Sequence, residues 1–228
     1  MTKFALGQSV TRIEDAALLR GAGRYADDVA IAGAAHACIV RSPHAHAKIA
    51  RFDGRAAAGA PGVLAVLSGA DVAADGLGDI PCLVPVTNLD GTARAETPRP
   101  ILAKHRARHV GDPVAVVIAA TLAQARDAAE LIDIDYEPLP AVVGTRSAIL
   151  PGAPLVWDGV AGNLCFDVGA GNSKAAVEAA FARAAHVTRL ELVNNRVVAN
   201  PLEPRAALAD YDRATGRSTL YTPSQGPH

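Results

Sequence analysis

The sequence predicts a mixed α+β fold in which short helices pack against strands. The main evidence lies in residues 113–137, where an uninterrupted apolar run precedes a helical pattern and then a strand of alternating polarity. Hydrophobic residues make up 50% of the 228 residues and charged residues 20%, so the chain can bury a core. Aromatic residues make up only 4%, so we expect a core of Val, Ile, Leu and Ala.

Short elements are predicted before the long loop at residues 75–100. Residues 1 to 34 show little periodicity and predict an extended entry segment. The elements that follow are predicted strands over 36–41, 48–52 and 63–67, with a helix over 55–58 before the third strand. Asp53 is expected to cap that helix, and either Ser68 or Asp71 to cap a further helical turn. Residues 75–100 are rich in Gly, Pro and Thr, and loops of this length tend to be functional or to pack on a partner.

A strand–helix–strand unit is the clearest pattern in the chain. Val114 to Ala119 forms a continuous apolar strand. Thr121 and Gln124 then have the spacing of a capping box, in which each side chain satisfies a free backbone N–H at the helix start. Apolar residues recur every three or four positions along one face: Leu122, Ala125, Ala129 and Ile132. From residue 132 to 137 apolar and acidic side chains alternate, which predicts a strand with one face in water.

A change in composition marks the second part of the chain. Gly, Pro and Ala dominate residues 144–163, which we interpret as a domain boundary or linker. The elements predicted after it are a strand over 164–168, a helix from a Ser173 cap to about Ala185, and strands over 186–197, 205–211 and 218–222. Thr215-Gly216 marks a turn, so the last two strands are expected to form a hairpin. Because the sequence stops one loop later, we expect this domain to be incomplete.

Charge and cysteine usage exclude several classes of protein. The formal net charge is −1, which gives no electrostatic reason to expect nucleic acid or an anionic membrane as a partner. No window approaches ~18 uninterrupted apolar residues, so no membrane span is expected. Cys38, Cys82 and Cys165 are odd in number and far apart, which fits a reducing compartment better than a disulfide scaffold.

Two short motifs could hold a ligand, but each also has a plainer explanation. His44 and His46 would point to the same side of a strand, as metal ligands do. No Asp, Glu or Cys close in sequence completes a ligand set, so a hydrogen-bonded turn is the favoured interpretation. Gly169-x-Gly171 precedes a predicted helix, where phosphate can bind. The third glycine and the acid of a dinucleotide-binding fingerprint are missing, which favours a tight turn.

Acidic pairs and a proline-rich motif are further candidates. Glu14-Asp15 and Asp27-Asp28 could act as general acid and base, although capping or turn roles are favoured in so irregular a segment. Prolines fix the backbone around Glu203 and Arg205, which predicts either an internal ion pair or a role near a cofactor. Gln225 follows the last predicted strand, where a neutral amide could donate to a metal-bound oxygen. Spacing alone does not distinguish it from an ordinary loop glutamine.

Seven motifs, in order along nearly the whole chain, resemble the large molybdopterin-binding subunit of the xanthine dehydrogenase, aldehyde oxidase and carbon monoxide dehydrogenase family. They are Gly7-x-Ser9-x-x-Arg12-x-Glu14-Asp15, Gly21-x-Gly23-x-Tyr25-x-Asp27-Asp28, Val40-Arg41-Ser42-Pro43-His44-Ala45-His46, Val110-Gly111-Asp112-Pro113, Asp135-Tyr136-Glu137-Pro138, Asn200-Pro201-Leu202-Glu203-Pro204-Arg205-Ala206 and 222–228. In the sixth motif Leu202 stands where the family has Met.

The resemblance implies a domain plan and a cofactor. It implies an extended segment at 1–19, an α/β hammerhead domain at 20–142, a linker at 143–163 and the truncated first part of a molybdopterin-binding domain at 164–228. Gln225 and Gly226 are the implied cofactor-binding residues, with the Gln225 amide contacting the apical oxo group of molybdenum. The implied cofactor is molybdenum–molybdopterin in its cytosine dinucleotide form. Iron–sulfur clusters and FAD are expected on partner subunits, alongside the remainder of the molybdenum subunit.

The family's activity is the oxidative hydroxylation of an aldehyde, N-heterocycle, purine or CO-type substrate. The resemblance places its glutamate base beyond the end of this chain, so we expect no catalytic residue and no metal ligand here. Without that base and a lined pocket, the isolated cytoplasmic chain is expected neither to retain cofactor nor to turn over. One alternative is a non-catalytic docking module for iron–sulfur and flavin subunits, and another is an unrelated small-molecule-binding α/β protein.

Overall fold

The computed structural model describes residues 7, 9–82, 85–195, 197–201 and 203–224. The chain forms two compact units, one over Ala35–Thr188 and one that combines the first 34 residues with residues 189–228. The strands are β1 (His36–Arg41), β2 (Ala47–Asp53), β3 (Val63–Ser68), β4 (Arg106–Ala107), β5 (Pro113–Ala119), β6 (Asp133–Pro138), β7 (Leu208–Asp212) and β8 (Arg217–Tyr221). The helices are α1 (Asp15–Leu18), α2 (Arg55–Ala58), α3 (Gly69–Ala74), α4 (Leu122–Ala129), α5 (Thr145–Ala148) and α6 (Lys174–Arg183).

The 35–188 unit contains two three-stranded antiparallel sheets, ordered β1-β5-β3 and β4-β2-β6. The predicted strand–helix–strand unit is confirmed as β5, α4 and β6. Its two strands, however, belong to different sheets, and β6 pairs with β2 rather than with β5. The mixture of helices and sheets is the predicted α+β class.

Strand β5 forms the centre of the core, because it has a neighbouring strand on each side and carries four buried aliphatic side chains. Val114, Ala115, Val117 and Ala119 are at most 2% exposed. Helix α4 covers this sheet, and Ala125 and Ala128 on its inner face are fully buried. The core therefore consists of small aliphatic residues, as the composition predicts.

Capping side chains begin three of the helices as the sequence suggests. Thr121 accepts a hydrogen bond from the backbone N–H of Gln124 at 3.2 Å. The hydroxyl of Thr121 also donates to the side-chain oxygen of Gln124. In the predicted capping box, the Gln124 side chain would instead accept from a backbone N–H. Ser68 caps α3 in a reciprocal box with Asp71. Ser173 caps α6 by accepting from the backbone N–H of Ala176.

The predicted cap of α2 is one residue out of place. Gly54 is the residue at the cap position. The Asp53 carboxylate accepts from the backbone N–H of Arg55 at 3.0 Å, and it also bonds the Arg55 guanidinium. Asp53 therefore fixes the start of the helix from one position earlier than expected.

The long loop at residues 75–100 is confirmed where it is described. Its part from 85 onwards contains one isolated bridge, between Thr87 and Ala93. The same loop forms backbone hydrogen bonds with residues 164–168, the segment predicted to form a strand. Backbone N–H groups of Leu89 and Ala95 donate to Asp167 and Cys165 at 2.9 and 2.7 Å. This irregular pairing replaces the predicted strand.

The predicted strand over 186–197 is wrong for the described residues, which have no regular structure there. Five apolar side chains of this stretch and the next residue are 77–91% exposed: Leu190, Leu192, Val193, Val197 and Val198. A strand needs a neighbour for its backbone groups, and the described residues supply none at this position.

The hairpin at the end of the chain is confirmed. Strands β7 and β8 pair antiparallel from Leu208 opposite Tyr221 to Asp212 opposite Arg217. Gly216 has φ +70°, which a residue with a side chain rarely adopts, so the turn requires glycine. Among the described residues no helix is both long enough and apolar enough to cross a membrane.

Candidate cofactor-binding loop

The loop predicted to carry the cofactor contacts begins directly after β8. Gln225 and Gly226 lie outside the described residues, so their role stays a prediction. The described part of the loop start is tied to the chain before β7, because the Thr222 hydroxyl donates to the carbonyl of Ala206 at 2.9 Å. The hairpin and this bond determine where the loop leaves the strand.

A second motif of the same unit, Asn200 to Arg205, contacts the N-terminal segment through Glu203. The Glu203 carboxylate accepts a hydrogen bond from the backbone N–H of Ala26 at 2.9 Å, in a partly buried position. Ala26 begins a single 3-10 turn whose last residue, Asp28, accepts from the backbone N–H of Tyr25. The predicted Glu203–Arg205 ion pair is not formed between these two described residues, and a backbone group is the partner instead.

The acidic pairs have structural roles in the described chain. Asp28 caps its 3-10 turn. Asp15, the first residue of α1, bonds the guanidinium of Arg12 three positions earlier at 2.8 Å. These contacts of Asp15 and Asp28 support the capping and turn interpretation for one member of each pair.

His44 and His46, the two histidines of the predicted ligand motif, also have structural contacts. His46 is 9% exposed, and its Nδ1 lies 2.8 Å from the carbonyl oxygen of Pro140. Because a carbonyl only accepts, Nδ1 carries the proton in this contact. The His44 ring packs on Tyr136 with centroids 4.9 Å apart, and burial raises the pKa of Tyr136. The Ser42 hydroxyl accepts from the backbone N–H of His44 at 3.1 Å, which closes the turn.

Among the described residues, no group of three or more His, Cys, Asp or Glu side chains could hold a metal ion. At the glycine motif, Gly171 has φ +101° and α6 follows. Ser173 already bonds a backbone N–H of the first turn of α6. This geometry describes a tight turn with a side-chain cap.

Comparison with known families accounts for both parts of the chain. Residues 20–140 match a family model described as the a/b hammerhead domain of aldehyde oxidase and xanthine dehydrogenase. Residues 156–228 match a molybdopterin cofactor-binding domain. The chain belongs to the molybdenum hydroxylase family of xanthine dehydrogenase and aldehyde oxidase. Members of this family are molybdenum oxidoreductases.

Individual relatives extend over nearly the whole chain. The nicotine 6-hydroxylase large subunit of Paenarthrobacter nicotinovorans is 36% identical over 100% of this chain and 27% of its own length. The carbon monoxide dehydrogenase large chain of Afipia carboxidovorans is 33% identical over 98% of this chain and 28% of its own. The crystal structure of quinoline 2-oxidoreductase from Pseudomonas putida 86 superposes with a TM-score of 0.79 and 38% identity, covering 99% of this chain and 28% of that one. The chain therefore spans little more than a quarter of the length of these relatives.

Sequence reasoning missed one group of contacts. Arg108 stacks on Trp157, the only tryptophan of the chain. The two residues are 49 positions apart, and no local pattern announces a contact at that distance. The single tryptophan of the sequence is followed by an acidic residue, Asp158, and this pair is the sequence feature that could have suggested a contact with arginines.

Proposed function

We propose that this chain is the N-terminal portion of the molybdenum-cofactor subunit of a molybdenum hydroxylase. The observation that carries the proposal is the order of the two matched regions, a hammerhead domain followed by a molybdopterin cofactor-binding domain. The substrate class is an aldehyde, N-heterocycle, purine or CO-type molecule, and the site of action is the cytoplasm. The proposed domain plan is that of the sequence: 1–19, 20–142, 143–163 and 164–228.

Gln225 and Gly226 are the proposed cofactor contacts of this chain. The β7–β8 hairpin ends at Tyr221, four residues before Gln225, and the Thr222 bond to Ala206 holds the strand end in place. Here the Gln225 amide donates a hydrogen bond to the molybdenum centre and adds no charge. The cofactor, molybdenum–molybdopterin cytosine dinucleotide, supplies the oxidising centre when it is bound.

The isolated chain is proposed to be inactive. A pterin dinucleotide needs a pocket that covers most of its surface, and two residues of one loop cannot provide it. Purified from a host that makes the cofactor, the chain is expected to carry no stoichiometric molybdenum by elemental analysis and to oxidise neither purine nor aldehyde. Molybdenum at one atom per chain would contradict the inactivity, and Gln225→Ala would then test the proposed contact.

The proposed partners are the iron–sulfur subunit, the FAD subunit and the remaining part of the molybdenum subunit. A docking module without catalysis is the second candidate, and it is favoured by one observation. The 35–188 unit has its own core around β5 and α4, and the described members of that core all belong to this unit. Co-purification with tagged iron–sulfur and flavin subunits, in the absence of the rest of the molybdenum subunit, would support docking. Binding that requires the rest of the subunit would exclude it.

A further inference from the structure

A short segment, Val156 to Asp158, contacts two arginines at the end of strand β4. It lies in the proposed linker, at the start of the stretch that matches the molybdopterin cofactor-binding domain. The guanidinium carbon of Arg108 lies 3.5 Å from the centroid of the Trp157 ring. Its Nε donates to the carbonyl of Val156 at 3.2 Å. The backbone N–H of Arg108 donates to the Asp112 carboxylate at 2.9 Å, which fixes the main chain from which the guanidinium extends. One side chain thus makes a stacking contact and a directed hydrogen bond to two consecutive residues.

A neighbouring ion pair reinforces the same contact. Arg106 donates to the Asp158 carboxylate at 2.9 Å, and this bond lowers the pKa of Asp158. Arg106 and Arg108 are two positions apart, so at the end of β4 their side chains lie on the same side. The Arg108 guanidinium is also partly buried, and burial lowers its pKa. A pair of arginines therefore faces three consecutive residues of the segment.

The segment itself is held in one conformation by Asn163. The Asn163 side-chain oxygen accepts from the backbone N–H of Val156 at 2.8 Å. Its amide nitrogen donates to the carbonyls of Ala148 and Pro154 at 2.8 and 2.9 Å. Arg108 therefore contacts a loop whose backbone is fixed by these hydrogen bonds, and its two partners there are the Val156 carbonyl and the Trp157 ring.

We propose that Arg108 is the positioning residue that seats Val156 and Trp157, the first residues of the stretch that matches the cofactor-binding domain, beside strand β4. A planar guanidinium can stack on an indole and donate in its own plane at the same time, whereas an ammonium group has no plane to stack on the ring. The proposal rests on the proposed function only where it names the region as cofactor-binding. The contact itself is within the 35–188 unit.

The test uses the fluorescence of the single tryptophan in the full chain. Arg108→Met keeps most of the side-chain length and removes the charge and the donors. Without the stacking contact, we expect the equilibrium between molecules whose segment is detached from residue 108 and molecules whose segment contacts it to shift about fivefold toward the detached form. This shift corresponds to about 1 kcal/mol. We expect a larger acrylamide quenching constant, a red-shifted emission maximum and faster chymotryptic cleavage after Trp157. Arg108→Lys is expected to restore these values only in part, because lysine keeps the positive charge but lacks the planar guanidinium and its fixed donors.

Arg126→Met is the matched control, because Arg126 is exposed on α4. Quenching, emission and cleavage equal to those of this control would overturn the proposal. Should far-UV circular dichroism show that R108M does not fold, Arg108→Gln replaces it, since it keeps a donor for Val156. A folded R108Q with wild-type quenching would overturn the proposal equally. None of these readouts needs molybdenum or turnover, so failure of the proposed function would leave their outcome unchanged.

Discussion

Replacing Val117 by Ala removes two carbons from the middle of β5, where the side chain is fully buried. Val117 lies opposite Cys38 on one neighbouring strand and Val66 on the other. Ala57 and Ala128 belong to the same buried cluster and have no longer side chain with which to fill the space. Two methylene equivalents at about 0.8 kcal/mol each correspond to about 1.6 kcal/mol of lost transfer free energy. The cavity that remains raises the expected loss in unfolding free energy to about 2–3 kcal/mol.

Urea unfolding followed by Trp157 fluorescence measures this loss, because Trp157 belongs to the same compact unit as Val117. The midpoint is expected to fall while the m-value stays constant, as for a change in stability alone. Val143→Ala is the matched control, since Val143 is 84% exposed in the same unit, and a change within about 0.5 kcal/mol is expected there. Equal losses in the two variants would refute the assignment of β5 as the centre of the core.

Two further predictions concern helix caps in the same unit. Thr121→Ala removes the acceptor for the Gln124 N–H and is expected to lower the unfolding free energy by about 1 kcal/mol, whereas Thr121→Ser, which keeps the hydroxyl, lowers it by much less. Identical urea midpoints for the two variants would contradict the cap. Hydrogen bonds from Ser68 lower the pKa of Asp71, so its stabilising effect is present above the unfolded pKa of about 3.9 and is lost as pH falls below it. The stability difference between wild type and Asp71→Asn should therefore shrink between pH 7 and pH 3, and a difference independent of pH would exclude this linkage.

Local elements could be predicted from the sequence because their signals are local. The apolar run of β5 and the helical stripe of α4 each depend on residues a few positions apart. The pairing of strands could not be predicted in this way. Nothing within β6 distinguishes β2 from β5 as its neighbour, because the choice depends on burial across the whole unit. The stripe also included Leu122, which is 40% exposed, and omitted Ala128, which is fully buried.

The strand predicted over 186–197 is wrong because a local pattern cannot show whether a pairing partner exists. Leu190 and Leu192 have the alternating spacing of a strand, and Val193 adds to its hydrophobicity. A strand, however, exists only where another backbone pairs with it. In the candidate site, the sequence likewise could not identify the partner of a side chain. The sequence suggested that Glu203 is held in place, since prolines flank it. It could not show that the partner is the backbone of Ala26, 177 positions away.

The segment at residues 143–163 shows how composition and contacts differ in what they reveal. Gly, Pro and Ala indicate a linker there. The first family match ends at 140, before the segment, and the second begins at 156, inside it. The contacts, however, place the whole segment inside the unit that extends to Thr188. Asn163 bonds three backbone groups of this segment, and Arg108 stacks on its tryptophan. A segment whose composition is that of a linker is therefore anchored by side chains that precede it and that end it, and its contacts lie inside the 35–188 unit.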